Sequence, residues 1–202
     1  MRSMPLSGAA FVGCFAVAAA LYGRGAGSSA PEIAAYYGSG TGSRQIAGFA
    51  VLLVGTVCLL HYVAVLRQAL VREEPLATVA LTSGVAASVL LLAANALWAA
   101  TAFAVALEPG GYRPDPGAHL LVEDAAFVLL VSAAAAAIPF VLATTLAARR
   151  SGWPAWFGAL GALAAAGLAA AYWYVPLALF LAWIAAGSLR LVLLGPGGER
   201  RR

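Results

Sequence analysis

Long apolar runs separated by short polar segments dominate the chain. The run 125–148 lies between an acid pair, Glu123 and Asp124, and an arginine pair, Arg149 and Arg150. At about 1.5 Å per residue such a run makes a helix of roughly 36 Å, which exceeds a hydrocarbon core of about 30 Å. Arginine is favoured at the cytoplasmic end of a membrane helix, so we expect the arginine pair inside and the acid pair outside.

Six such runs predict an all-α, polytopic transmembrane helix bundle that forms one domain over residues 1–202. The predicted spans cover residues 6–22, 45–66, 76–103, 123–148, 155–171 and 177–194. We expect the second run to continue into the cytoplasm as a helix that Pro75 ends.

Arginine is unevenly divided between the two sides of this threading. Nine arginines lie inside, at positions 2, 67, 72, 149, 150, 190, 200, 201 and 202, and three lie outside, at positions 24, 44 and 113. This asymmetry predicts that both termini are cytoplasmic.

The first run permits two interpretations. Arg2, a short apolar core and the small residues 25–27 also describe a secretory signal with a cleavage site. We favour a retained first span, because the rest of the chain is itself apolar and needs no removable signal. Both interpretations place the following loop outside.

The first outer loop contains a predicted capping box, Ser29 with Glu32, ahead of Tyr36 and Tyr37. It predicts a short helix on the outer membrane surface, with its tyrosines at headgroup level. A ligand-binding lid is the functional alternative.

Composition supports a lipid environment. Hydrophobic residues make up 63% of the chain and charged residues 10%, which is too little polar surface for a soluble globule of this length. The net charge of +4 comes from arginines scattered along the loops, a pattern that excludes a nucleic-acid partner. Cys14 and Cys58 fall inside apolar runs and are expected to be buried packing thiols.

Three segments follow the same order as in a known family. After a short first span come residues 30–37 (Ala-Pro-Glu-Ile-Ala-Ala-Tyr-Tyr), residues 66–70 (Leu-Arg-Gln-Ala-Leu) and residues 153–158 (Trp-Pro-Ala-Trp-Phe-Gly). Nearly the whole chain resembles an uncharacterised family of small six-span membrane proteins common in actinobacteria. The resemblance implies a six-helix fold in a bacterial plasma membrane, and it implies no substrate, cofactor or catalytic residue.

Candidate chemistry is sparse. The sequence has no metalloprotease, nucleophile-elbow or phosphate-loop motif, so we expect a non-enzymatic protein without a cofactor. His119 and Glu123 are spaced i, i+4, and together with Asp115 and Asp124 they are candidates for a divalent-cation site. A solvated helix start, where acids favour the positive end of the helix dipole, is the preferred interpretation, without a metal.

Asn95 is the chain's single asparagine, and it is the most polar residue near the middle of a predicted span. We expect it to lie in the outer third of the membrane, where the nearest polar groups are the acid pair and the hydroxyls of Thr101 and Ser132, and to join the third and fourth spans by a hydrogen bond. Asn95, His119, Glu123 and Asp124 would then surround an outward-facing mouth for a ligand. The alternative is a bond that only ties two helices together.

Two functions remain open at this point. We favour an accessory or partner subunit of a membrane assembly, or a small sensor, with the lipid bilayer and other membrane proteins as partners. The alternative is a transporter or binding protein for a small apolar molecule. A cavity between the helices would favour the alternative, and close packing throughout would favour the subunit.

Overall fold

The computed structural model describes residues 6–23, 27, 29–108, 115–170 and 177–194, and every regular element in these ranges is helical. The all-α prediction is therefore confirmed. The α-helices are α1 (Ser7–Tyr22), α2 (Ala30–Tyr36), α3 (Gly42–Ala69), α4 (Glu74–Leu107), α5 (Pro116–Arg150), α6 (Ala155–Ala169) and α7 (Leu177–Leu194).

Three of these helices are long and apolar enough to cross a membrane. They are α3, α4 and α5, with 28, 34 and 35 residues. The helices α1, α6 and α7 are also apolar but shorter, with 16, 15 and 18 residues.

Six helices form a closed ring. In chain order, α1, α3, α4, α5, α6 and α7 each pack against the next, and α7 returns to α1. Their directions alternate: at one end Arg150 of α5 lies 3.1 Å from Glu73, just before α4 begins, and at the other end Thr101 of α4 contacts His119 of α5.

The two ends of the ring differ in charge. The end that carries Arg67, Arg72, Arg149 and Arg150 is called the arginine end here, and the end that carries Glu32, Glu108, Asp115, Glu123 and Asp124 is called the acid end. The sequence also predicted the membrane side of the arginines at positions 2, 24, 113 and 200–202, but these positions lie outside the described residues.

Aromatic side chains fill the axis of the ring in the half nearer the arginine end, which is called the arginine half here. Trp183 and Tyr62 are fully buried, and the Trp183 ring centre lies 5.5 Å from that of Phe140 and 5.6 Å from that of Phe157. Glycines bring the helix backbones close to this cluster: a Cβ on Gly187 would lie 2.2 Å from the Tyr62 hydroxyl. The described side chains around Trp183 therefore pack closely against one another.

The connections show one wrong prediction. The second predicted helix does not continue to Pro75, because α3 ends at Ala69 and a 3-10 turn, Val71–Glu73, follows. Pro75 instead occupies the first turn of α4, where its missing N–H costs no helical hydrogen bond.

The predicted short helix α2 is present. Oε2 of Glu32 accepts hydrogen bonds from the Ser29 backbone N–H at 3.1 Å and from its hydroxyl at 2.7 Å. Ile33 and Tyr37 are buried in a cluster with Ala102. The helix therefore packs onto the acid end of the ring.

Candidate functional site

A cavity of about 770 Å³ lies on the axis of the ring in the acid half, which is the half nearer the acid end. Its wall comes from residues 15–23 of α1, 45–52 of α3, 91–98 of α4, 123–130 of α5 and 177–181 of α7, together with Tyr36 of α2. These are the parts of the helices nearest the acid end. Small-molecule sites in proteins typically measure about 300–1,000 Å³.

The floor of the cavity is apolar. A narrow second pocket of about 40 Å³ runs on from it toward the arginine half, between side chains that include Phe11, Ala87 and Ala137. Five residues line both spaces: Phe15, Leu91, Leu130, Leu177 and Leu181. Beyond them lies the aromatic cluster around Trp183, and the polar lining residues Gln45, Glu123 and Asp124 lie at the other end of the cavity, nearest the acid end.

Asn95 links three helices behind the cavity wall. It is 0% exposed, its Nδ2 donates to the Phe49 carbonyl at 3.1 Å, and its Oδ1 accepts from the Tyr22 hydroxyl. The expected bond from Asn95 to the fourth predicted span is therefore wrong. The reason is that Tyr22, at the end of α1, reaches across the ring and provides a nearer hydroxyl.

Tyr22 and Trp98 form an aromatic part of the wall. Their ring centres are 6.0 Å apart and the ring planes meet at 49°. Both residues line the cavity. Because the Tyr22 hydroxyl is bonded to Asn95, the position of its ring is fixed from behind.

A second chain of hydrogen bonds runs through Gln45, Tyr36 and Tyr22. Gln45 Nε2 donates to the Tyr36 hydroxyl oxygen at 3.1 Å, and that hydroxyl donates to the Tyr22 carbonyl at 3.2 Å. Burial raises the pKa of the Tyr36 phenol above its ordinary value, so the group stays a neutral donor.

The same chain fixes the orientation of the Gln45 amide. Because Tyr36 gives its only hydroxyl hydrogen to the Tyr22 carbonyl, it must accept from Gln45, which places the amide nitrogen on that side. The amide oxygen, Oε1, is buried and has no hydrogen-bond partner among the described residues. Gln45 itself lines the cavity and is 6% exposed.

His119 supports the acidic side of the mouth. It is 3% exposed, its Nδ1 lies 3.2 Å from Thr101 Oγ1, and its Nε2 lies 3.3 Å from Glu123 Oε1. The ring of Tyr37 packs against it edge to face at 5.9 Å. His119 therefore lies directly against Glu123, which lines the cavity.

Of the residues considered for a cation site, His119 and Glu123 lie together, whereas Asp115 bonds elsewhere. Asp115 caps the start of α5, where its carboxylate accepts from the Ala118 backbone N–H at 2.8 Å. Within the described ranges, no group of three or more histidine, cysteine, aspartate or glutamate side chains is placed to hold a metal ion. The hydroxyl of Ser132 donates to the Val128 carbonyl at 2.8 Å and takes no part in the site.

The structure brings the four sequence-predicted candidates to one place in two layers. Glu123 and Asp124 line the cavity, and Asn95 and His119 lie directly behind lining residues. Sequence reasoning missed Tyr22, Gln45 and Trp98. The sequence does mark Gln45, because it is a polar residue at the very start of a predicted span.

The cavity offers binding chemistry: two carboxylates, one amide, phenols and aromatic rings above an apolar floor. No protein-family model, no curated protein and no solved structure matches the chain.

Proposed function

We propose that this chain is a multi-pass membrane protein of the bacterial plasma membrane that binds a small, largely apolar molecule from outside. The cavity in the acid half is the observation that carries this proposal. An accessory subunit, the function that the sequence favoured, calls for close packing throughout. The arginine half is packed in that way and the acid half is not.

The ring supports a proposal of six spans. The shorter helices α1 and α6 extend about 24 Å and 22 Å at 1.5 Å per residue, less than a core of about 30 Å, and both pack side by side with long helices. Each therefore crosses most of the bilayer beside a longer neighbour. With directions that alternate around the ring, both termini lie on the same side.

The charges orient the ring. Among the described residues, Arg67, Arg72, Arg149, Arg150 and Arg190 lie toward the arginine end, and Arg44 lies at the acid end. Because arginine is favoured on the cytoplasmic side of a membrane, this distribution supports an orientation with the acid end, and with it the mouth of the cavity, outside.

A one-sided cavity fits a binding protein, a sensor or the outward-facing state of a transporter. The apolar floor receives the body of the ligand and the polar groups near the mouth orient its head. The chemistry on the wall is that of recognition, so we assign the protein a non-enzymatic role without a cofactor.

The test is saturable binding of N-phenylnaphthylamine, a neutral apolar dye that fluoresces out of water. Purified protein in detergent should give fluorescence above protein-free micelles. Ala19→Phe places a ring in the cavity and should weaken binding about tenfold or more, equivalent to about 1.4 kcal/mol.

Ala20→Phe is the matched control, because Ala20 is the neighbouring exposed alanine of α1 and does not line the cavity. It should bind the dye as the parent does. Equal binding by the two variants, or no signal above micelles, would overturn the proposed function.

A further inference from the structure

We propose that the ligand of the cavity is a lipophilic organic cation: an apolar body that carries an ammonium head with N–H groups. This inference rests on the proposed function and names the class of ligand. Two independent features of the wall support it: its charge and its aromatic rings.

The charge of the wall is negative. Glu123 and Asp124 both line the cavity, and no arginine is among the described residues that line it. Arg44 lies at the same end but is exposed on α3 outside the wall. Beside low-dielectric apolar walls, two carboxylates attract a cation and repel an anion more strongly than they would in open water.

The aromatic rings favour the same sign. Tyr22 and Trp98 lie side by side on the wall, and tryptophan and tyrosine are the preferred partners in cation–π contacts. Asn95 holds the Tyr22 hydroxyl, so this aromatic part of the wall is formed before a ligand arrives. A ligand therefore meets a preformed surface for a cationic head.

The carboxylates also favour a head that donates hydrogen bonds. An ammonium N–H can donate to Glu123 or Asp124, both of which line the cavity. A carboxylate or phosphate head would instead bring further acceptors to a wall that already carries two carboxylates.

A matched series of competitors tests the head group alone. Diphenylpropylammonium, diphenylpropanol and diphenylpropanoate share one apolar body and differ in charge at neutral pH. Each is titrated against bound N-phenylnaphthylamine in detergent. The ammonium should compete at least about tenfold better than the alcohol, and the carboxylate should compete worst.

Variants then locate the effect. Glu123→Gln and Asp124→Asn should each reduce the preference for the ammonium over the alcohol by about threefold to tenfold. Glu108→Gln is the control, because Glu108 is an exposed acid at the same end that does not line the cavity. It should leave the preference as it is in the parent.

The outcomes separate the two proposals. Absence of dye binding overturns the proposed function, and this inference with it. Dye binding with equal competition by all three heads, or with the carboxylate strongest, overturns only the cation. Competition by an added zwitterionic phospholipid, with none by the ammonium, also overturns it and assigns the cavity to lipid.

Discussion

The helices of the ring are held together differently in the arginine half and in the acid half. In the arginine half, glycines let backbones approach and the aromatic cluster around Trp183 fills the axis. In the acid half, hydrogen bonds from Asn95 and Gln45 tie α1, α2, α3 and α4 together around a cavity. Apolar packing closes one end, and a polar frame keeps the other end open.

The difference shows what each kind of interaction can do in lipid. Side chains and lipid tails are equally apolar, so helices associate where small residues allow close contact, as at Gly161 and Gly187. A buried hydrogen bond, in contrast, fixes a distance without filling the space beside it. An open site therefore needs polar ties, and Asn95 is one of them.

The largest expected effect concerns which side of the membrane each end of the ring faces, because an introduced cysteine is either labelled from outside or not labelled. In a chain with Cys14 and Cys58 replaced by alanine, a membrane-impermeant thiol reagent on intact cells should label Glu108→Cys at the acid end. It should spare Ser151→Cys at the arginine end, which is exposed and follows α5. The reverse pattern would invert the proposed orientation and put the cavity inside.

Removal of one tryptophan from each half is the next test. Trp183→Ala leaves a hole in the filled axis and should lower the free energy of unfolding in detergent by about 3–5 kcal/mol. Trp98→Ala should lower it by less than half as much, because Trp98 already borders a cavity. Thermal unfolding in detergent gives both values.

Dye binding should respond in the opposite order. Trp98→Ala removes part of the cavity wall, so it should weaken N-phenylnaphthylamine binding more than Trp183→Phe, which keeps an aromatic ring in the axis. If Trp98→Ala costs as much stability as Trp183→Ala, the acid half is as tightly packed as the arginine half and the comparison fails.

Glycine contacts provide a smaller effect. A Cβ on Gly161 would lie 2.1 Å from Thr145 Oγ1 and 3.0 Å from Thr145 Cβ, so rotation of the threonine cannot relieve the clash. Gly161→Ala should destabilise the protein by about 1–3 kcal/mol.

Gly13→Ala is the control on the outer surface. A Cβ on Gly13 meets nothing within 4 Å, and alanine is the better helix former by about 1 kcal/mol. Thermal unfolding should therefore show stabilisation or no change. Equal losses from the two glycine variants would mean that helix approach does not stabilise the arginine half.

The sequence predicted the helices well because lipid imposes one rule on every span, a continuous apolar run with its backbone bonds satisfied internally. The helix α6, predicted as residues 155–171, is observed as Ala155–Ala169. The predicted helix end at Pro75 was wrong because proline is found both just after a helix ends and in the first turn of the next helix.

The site was harder to predict. Glu123 and Asp124 were visible as charges before an apolar run, and Asn95 was visible as a buried amide. Tyr22 and Trp98 looked like ordinary interfacial aromatics, which are common near the ends of spans. Their pairing brings a side chain of α1 against one of α4, two predicted spans further along the chain, and the apolar pattern does not determine which non-consecutive spans meet.

The smallest effect for a single interaction tests whether Asn95 positions the cavity wall or only ties helices together. Asn95→Leu removes the bonds to Tyr22 and Phe49 and should cost about 0.6–1.7 kcal/mol for each, measured by thermal unfolding in detergent. It should also weaken binding of the diphenylpropylammonium probe, because the Tyr22 ring is no longer held.

Tyr22→Phe separates the two roles, because it keeps the ring and removes only the hydroxyl that Asn95 holds. If Asn95 acts through Tyr22, adding Asn95→Leu to Tyr22→Phe should weaken ammonium binding no further, although it still destabilises the protein through the lost bond to Phe49. If Asn95 has only a structural role, the variants should lose stability while their affinity for the ammonium stays unchanged. Additive losses of affinity in the double variant would show that Asn95 reaches the ligand by a route other than Tyr22.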